Sequence, residues 1–190
     1  MEIELRPVNK KDRAEMKRLK RLFLAAFPSE ERPSFRVLKS RAKENVDWLA
    51  IEADGETAGF FYTLKRKDLY YLMFFAVEEK MRGRGIGEAA LKQATERYSD
   101  KRLFLSIERP YEQGAENAET RKRRKAFYLR CGFSETGREA REGSVIYEVL
   151  GINEPYVERD EYIAIMKEWV PFCRRNILKL EMYEKEKSEE

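Results

Sequence analysis

Three glycines at alternate positions form the most chemically informative segment of this 190-residue sequence. They lie in the run Val77-Glu-Glu-Lys-Met-Arg-Gly-Arg-Gly-Ile-Gly87, between an apolar stretch and an amphipathic one. Successive glycines leave backbone N–H groups open to a ligand, and a helix that begins among them adds the positive end of its dipole. The segment therefore predicts a pyrophosphate-binding loop. The alternative is a tight turn that needs small residues only for close packing.

The same glycines also satisfy the dinucleotide-binding fingerprint, as Gly85-x-Gly87-x-x-Ala90, with Glu108 placed 18 residues further on. Against that fold, the first fingerprint glycine should follow its strand directly, but residues 78–84 intervene. The fold also needs repeated parallel β-α-β units, whereas an antiparallel meander is predicted before the loop and too little chain follows it. No Gly-Lys-Ser/Thr sequence is present to favour a P-loop.

The sequence contains no histidine, and this absence restricts the chemistry. It excludes Ser-His-Asp and Cys-His catalysis and every zinc site that uses histidine. The two cysteines, Cys131 and Cys173, cannot form a four-thiolate site, so we expect no bound metal. Because no signal-like segment begins the sequence, they predict reduced thiols and a cytoplasmic protein. No apolar run reaches the roughly 18 residues of a membrane span, so no membrane association is expected.

Apolar periodicity and turn residues predict the elements that position the loop. The expected elements are a strand at 2–8, a helix ending before Pro28, a helix at 33–43 with Pro33 in its first turn, strands at 48–52, 58–65 and 69–77, a helix from 86 to near 100, a strand at 102–108, a helix from an Asn117 N-cap to Cys131, and strands near 134–138 and 144–150. This order predicts an α/β fold with a mixed sheet and helices on both faces. The doubly apolar stretch 69–77 should be central.

Beyond a domain at residues 1–152, residues 153–190 are predicted to form a C-terminal helical extension. Its apolar residues recur at helical spacing: Tyr162, Met166, Trp169, Cys173, Ile177 and Leu180. Pro171 lies inside this stripe and predicts a kink or two shorter helices. The stripe is expected to cover an exposed sheet face or edge, to pair with a second copy of the chain as a homodimer, or to act as a lid over an acceptor.

Two motifs together resemble those of a known family. Arg82-x-x-Gly85-x-Gly87 is similar to the pyrophosphate-binding motif of the GNAT superfamily of N-acetyltransferases, where it also joins the fourth strand to the third helix. Ala126-Phe127-Tyr128-Leu-Arg-Cys-Gly132-Phe133 resembles the Tyr-x-x-x-Gly-Phe signature that closes that superfamily's fourth helix. The element order and the spacing of the two motifs agree as well. The resemblance covers residues 1–150 and implies a GNAT-like acyl-CoA N-acyltransferase fold.

The resemblance implies an acetyl-CoA-dependent N-acetyltransferase, in which an amine attacks the thioester directly within a ternary complex. Backbone groups of Phe75, Ala76 and Val77 would bind the pantetheine arm where the fourth and fifth strands splay apart. The pyrophosphate would be held by the glycine loop, whose residues are Arg82, Gly83, Arg84, Gly85, Ile86, Gly87 and Glu88. The alternative function is a catalytically silent module on the same fold, which binds acyl-CoA or a partner without transferring anything.

Tyr128 matches the family's general acid, because a phenol can protonate the departing thiolate. The alternative for Tyr128 is a core aromatic residue beside Phe127. Glu108 ends the fifth strand, where it could be a general base, an ionised carboxylate that binds a cationic amine, or a solvated strand end. Glu112 and Glu116 in the next loop suggest an acceptor site of negative character. We therefore expect a small-molecule or peptide amine that is cationic.

The helix before Tyr128 departs from the family pattern. The family often has asparagine seven residues before the tyrosine, where this chain has Arg121, which begins the run Arg121-Lys-Arg-Arg-Lys125. A solvated helical face is the first interpretation of the run, and contact with the CoA 3′-phosphate is the second. Nucleic-acid binding is the last, because the net charge is only +4 and no aromatic residue interrupts the run. For Cys131, core packing is favoured over a nucleophile.

Overall fold

The computed structural model of the chain describes residues 1–29, 32–112, 117–170 and 180–185. The strands are β1 (Ile3–Pro7), β2 (Val46–Ala53), β3 (Glu56–Arg66), β4 (Leu69–Val77), β5 (Arg102–Glu108), β6 (Ser134–Glu142), β7 (Val145–Ile152) and β8 (Leu180–Glu184). The helices are α1 (Arg13–Ala26), α2 (Phe35–Arg41), α3 (Ile86–Arg97), α4 (Ala118–Arg130) and α5 (Arg159–Trp169). Up to β7, this is the predicted order of elements, and the predicted mixed α/β fold is confirmed.

The strands form an eight-stranded sheet in the order β1-β2-β3-β4-β5-β7-β6-β8, so that β4 is central as predicted. The chain divides into two compact units. The first comprises Met1–Lys65 and Leu72–Arg97, and the second comprises Arg66–Tyr71 and Tyr98–Glu190. The predicted domain boundary between residues 152 and 153 is a different division, and it stays a prediction.

In the first unit, β1 pairs with β2 and β2 with β3, both antiparallel. The β2–β3 turn has positive φ at Asp54 and Gly55, as a two-residue hairpin turn requires, which confirms the Asp-Gly prediction. Helix α2 begins after Ser34, whose hydroxyl accepts from the Val37 N–H. The prediction that Pro33 lies in the first turn is therefore wrong, because the serine supplies the capping oxygen and leaves the proline outside the helix.

A close backbone approach in the first unit shapes the end of β4. A methyl group added to Gly59 would lie 2.3 Å from the Ala76 carbonyl oxygen. Beside it, the β2–β3 register shifts at Ile51/Glu52, and the Glu78 N–H donates to the Ala58 carbonyl at 2.8 Å. Gly59 thus allows the last residues of β4 to lie against the irregular part of β3.

In the second unit, β5 pairs antiparallel with β7, and β6 pairs antiparallel with β7. The first residues of β4, Leu69–Tyr71, pair parallel with Arg102–Phe104. Helix α4 ends as predicted, with Cys131 as its C-cap and Gly132 at a φ of 92°. Asn117 occupies the predicted N-cap position, but its side chain makes no capping hydrogen bond.

The C-terminal extension contains a helix and a strand. Helix α5 buries Tyr162, Met166 and Trp169, as the apolar stripe predicts. Leu180 was predicted on the same helical stripe, and that is wrong: it begins β8, which pairs antiparallel with β6. Successive side chains of β8 point to opposite faces, as in any strand, and Met182 is buried. The pairing of β8 covers the edge of β6. Pro171, Cys173 and Ile177 lie outside the described residues.

Helix α5 is attached to its unit through polar contacts. The Arg102 guanidinium donates to both Glu161 oxygens, at 2.7 and 3.0 Å, and to Asp68 at 2.7 Å. The buried Tyr162 phenol donates to Glu142, and burial raises the pKa of Tyr162 well above its ordinary value. Its ring lies 6.1 Å from those of Tyr71 and Phe104. The extension therefore covers a part of the sheet and also its edge. Covering a sheet face or edge is the first of the roles expected from the sequence.

We predict that Gly59→Ala destabilises the protein by about 1–3 kcal/mol, because the added methyl group collides with the Ala76 carbonyl. Thr57→Ala, in the same strand, is the control and should cost less. Urea denaturation measures both variants. Equal unfolding midpoints for Gly59→Ala and the wild type would contradict this account of β4.

Candidate active site

The predicted phosphate loop lies in the first unit and joins β4 to α3. Its glycines Gly83 and Gly85 have φ angles of 74° and 77°, in the left-handed region that L-residues avoid. A methyl group added at either position would meet no atom within 4 Å. Close packing therefore does not explain these two glycines. The backbone conformation requires them, and the space beside them is open.

Helix α3 begins directly after this loop. Its first intrahelical bond runs from the Ala89 N–H to the Gly85 carbonyl at 3.0 Å. The amides of residues 85–88 precede that bond, so they have no acceptor within the helix. Residues 82–85 are exposed, and the positive end of the helix dipole lies at the same place. Such an arrangement can bind a phosphate group.

The last residues of β4 precede this loop. The Phe75 ring packs on Phe61 with centroids 4.5 Å apart, and the Ala76 carbonyl faces Gly59. The Val77 carbonyl accepts a hydrogen bond from Arg82 Nε at 3.0 Å. Arg82 thus holds the loop against β4. Among the backbone groups predicted to bind a ligand, the Val77 carbonyl already accepts this hydrogen bond.

Tyr128 lies in the second unit on α4 and is 9% exposed. Its ring contacts those of Phe127 and Phe133, with centroids 5.2 and 5.8 Å away. Burial raises the pKa of Tyr128 to about 12, although the nearby positive charge of Arg124 opposes the rise. Tyr128 is therefore buried among aromatic rings, as expected for a core aromatic residue. Its phenol also stays protonated over the pH range in which enzymes usually work.

Glu108 also lies in the second unit, at the end of β5, and is 7% exposed. Its Oε1 is 2.7 Å from Nη2 of Arg121, and its Oε2 accepts from Nη1 of Arg124 at 3.0 Å. Glu108 is thus not a solvated strand end. Because both oxygens are engaged by guanidinium groups, the carboxylate is already occupied in this structure.

The basic run of α4 faces carboxylates of its own unit. Arg121 also donates to the Arg109 carbonyl at 3.1 Å and to Glu112. Lys125 is buried and donates to Glu148 at 2.9 Å, with Glu135 at 2.6 Å. Burial alone would lower the pKa of Lys125, but these two hydrogen bonds raise it. A solvated helical face is therefore the wrong interpretation for Arg121 and Lys125.

Sequence reasoning missed these ion pairs, because the partners are distant in the chain. One signal was available: Glu148 interrupts the apolar strand β7, and an isolated carboxylate in a buried strand needs a cation. Of the acidic loop residues, Glu112 is paired with Arg121, and Glu116 lies outside the described residues. The expected negative character of this region is thus neutralised wherever the structure describes it.

The remaining features concern metals, membranes and thiols. Within residues 1–29, 32–112, 117–170 and 180–185, no three His, Cys, Asp or Glu residues are grouped to hold a metal ion. No helix in these ranges is long and apolar enough to cross a bilayer. Cys131 is half-buried at the end of α4.

The glycine loop, the element order and the mixed sheet define a protein of the GNAT fold. Residues 44–135 match the family model of the acetyltransferase (GNAT) domain. The predicted resemblance to the GNAT superfamily is therefore confirmed over this part of the chain. The matched range includes the glycine loop and Tyr128. No curated protein matches the sequence significantly.

Solved structures show the same fold. A putative GNAT-family acetyltransferase from Bacteroides thetaiotaomicron is 23% identical with a TM-score of 0.67, covering 86% of this chain and 94% of that one. The ribosomal-protein-S18-alanine N-acetyltransferase from Escherichia coli is 17% identical with a TM-score of 0.59, covering 83% and 97%. The PaiA N-acetyltransferase from Thermoplasma acidophilum, in complex with coenzyme A, is 18% identical with a TM-score of 0.55, covering 80% and 99%.

We predict that Gly83→Ala and Gly85→Ala each weaken acetyl-CoA binding by about tenfold, because a side chain disfavours the left-handed backbone that aims the amides. Gly143→Ala is the matched control, since Gly143 has a φ of 65° and equally open space in the β6–β7 turn. Isothermal titration calorimetry measures all three variants. Equal acetyl-CoA affinity in the loop variants and the control would show that the loop does not bind acetyl-CoA.

We predict that the Tyr128 phenol titrates near pH 12. Because its folded pKa exceeds the value of about 10 for a free phenol, it stabilises the fold fully below pH 10 and loses that contribution as the pH rises to about 12. The ¹³Cζ resonance of Tyr128, assigned by its loss in Tyr128→Phe, follows the titration. A midpoint near 10 would show that burial does not act on this phenol.

Proposed function

We propose that this protein is an acetyl-CoA-dependent N-acetyltransferase, which moves an acetyl group to a primary amine by direct attack in a ternary complex. The observation that carries the proposal is the loop before α3. There, two glycines of positive φ have open space beside them, and the first amides of helix α3 have no acceptor within the helix. Such a loop suits the pyrophosphate of coenzyme A, and the family's activity supports this ligand.

The residues of the first unit would hold the cofactor. The amides of residues 83–88 would bind the pyrophosphate, and the exposed side chains of Arg82 and Arg84 add positive charge. Backbone groups of Phe75 and Ala76 would bind the pantetheine amides, with the Val77 carbonyl already shared with Arg82. Acetyl-CoA supplies the activated thioester when it is bound.

Tyr128 would donate a proton to the departing thiolate. Its raised pKa keeps the phenol protonated at neutral pH, and a general acid must be protonated before it acts. The same shift makes it a weaker acid than a free phenol, so the nearby charge of Arg124 matters because it opposes the shift. For Glu108, the two guanidinium contacts favour a role in positioning Arg121 and Arg124 over that of a free base.

We predict that Tyr128→Phe lowers turnover by about 100-fold or more and leaves acetyl-CoA affinity nearly unchanged, because the phenol acts only when the thiolate leaves. Tyr156→Phe, at an exposed tyrosine of the same unit, is the control and should retain activity. A thiol-release assay measures turnover and calorimetry measures affinity. Unchanged turnover would remove Tyr128 from the mechanism.

The same two measurements test the function itself over a panel of primary amines. Acetyl-CoA binding with amine-dependent thiol release supports the transferase. Binding with no release for any amine would instead indicate the catalytically silent acyl-CoA-binding module. Absence of binding would overturn both. A cytoplasmic location and a homodimer stay predictions beside this proposal.

A further inference from the structure

The charged groups around the end of β5 are unevenly exposed. The carboxylates lie inside, with side-chain exposures of 9% for Glu108 and 3% for Glu139. Two of their guanidinium partners lie outside, at 41% for Arg124 and 39% for Arg109, whereas Arg121 is 13% exposed and pairs also with Glu112, which is 52% exposed. A ligand that approaches Arg124 or Arg109 would therefore meet positive charge before the buried carboxylates.

The arginines also retain hydrogen-bond donors. A guanidinium group has five N–H bonds, and Arg124 uses Nη1 for Glu108. No other acceptor for Arg124 exists among the described residues. Arg121 is 13% exposed on its side chain, and its Nε is buried with no hydrogen-bond partner in the described parts of the chain. Such donors favour a ligand that brings acceptor oxygens.

Arg124 and the proposed general acid share one face of α4. Arg124 precedes Tyr128 by four residues, which places the two side chains one above the other on the helix. Arg124 also contacts Glu108 at the end of β5. The carboxylate thus fixes the guanidinium in the turn of α4 adjacent to the phenol.

We infer that the acceptor carries an anionic group, a carboxylate by its fit to a guanidinium, in addition to its amine, and that Arg124 binds this group. This inference rests on the proposed acetyl transfer. Arg124 would hold the acceptor so that its amine lies one helical turn away, near Tyr128. A preference for a cationic amine was expected from Glu108, Glu112 and Glu116, but the first two are neutralised by arginines.

The test uses amine acceptors in pairs of a carboxylic acid and its amide: alanine with alaninamide, and a tripeptide acid with its amide. We expect the acid of at least one pair to exceed its amide in kcat/KM by about 10- to 100-fold, the effect of one charge-assisted hydrogen bond. Arg124→Gln should remove this preference without changing the KM for acetyl-CoA. Arg123→Gln is the matched control, because it removes the same charge from the next position, an exposed one with no ion pair in the described structure, and should keep the preference.

Each remaining result decides against the inference or separates it from the proposed function. Equal rates or a preference for the amide in every pair, or an acid preference retained in Arg124→Gln, would overturn it. A raised KM for acetyl-CoA with the acceptor preference unchanged would also overturn it, and would assign Arg124 to the CoA 3′-phosphate.

A second experiment needs no turnover. Two product analogues, N-acetylalanine and N-acetylalaninamide, are titrated with CoA present, and their binding is followed by NMR. If no amine reacts, the transferase fails, and Arg124-dependent binding of the acid alone supports only a carboxylate site at Arg124. Equal or absent binding overturns that site as well.

Discussion

The pairing of buried carboxylates with cations organises the second unit of this protein. Glu108, Glu139 and Glu148 lie on three neighbouring strands and are each less than a tenth exposed. A carboxylate can remain charged at such a depth only with a partner, since an unpaired buried charge costs several kcal/mol. Helix α4 supplies Arg121, Arg124 and Lys125 for two of them, and Arg109 pairs with Glu139. The helix that carries Tyr128 is thereby held against β5 and β7 in one rotation about its axis.

The first unit depends on a different constraint, which is backbone conformation. Positive φ angles at Gly83 and Gly85 turn the chain from β4 into α3, and Arg82 holds the turn to the Val77 carbonyl. Nothing packs where a side chain would extend from either glycine. A loop held in this conformation would lower the entropy cost of binding the proposed pyrophosphate.

Much of this fold could be predicted from local patterns. The bounds of β4 and β5 follow from continuous apolar runs, and the Asp54-Gly55 turn follows from the need for positive φ. Strand β8 could not be found in this way, because Leu180 also falls at helical spacing after Trp169. Whether Leu180 belongs to a helix or a strand depends on pairing with the edge of β6, which lies some forty residues earlier in the chain. A local apolar period cannot reveal a partner at that distance.

The same distinction holds for the candidate site. The position and turn of the glycine loop could be predicted because its glycines lie close together in the sequence, while its binding role stays a prediction. The environment of Glu108 was not, since its partners are 13 and 16 residues away on α4 and only the folded chain brings them together. A basic run on a helix is usually solvated. Here it forms ion pairs instead, because acidic residues lie on the neighbouring strands.

Strand β8 has a consequence for work with shortened forms of the protein. It satisfies the outer backbone groups of β6 from Arg138 to Glu142. A fragment that ends with β7 would leave those N–H and C=O groups unpaired, so that another extended peptide could pair with them. Truncation of the last residues would therefore expose the edge of β6 and promote aggregation, even where the proposed catalytic groups remain intact.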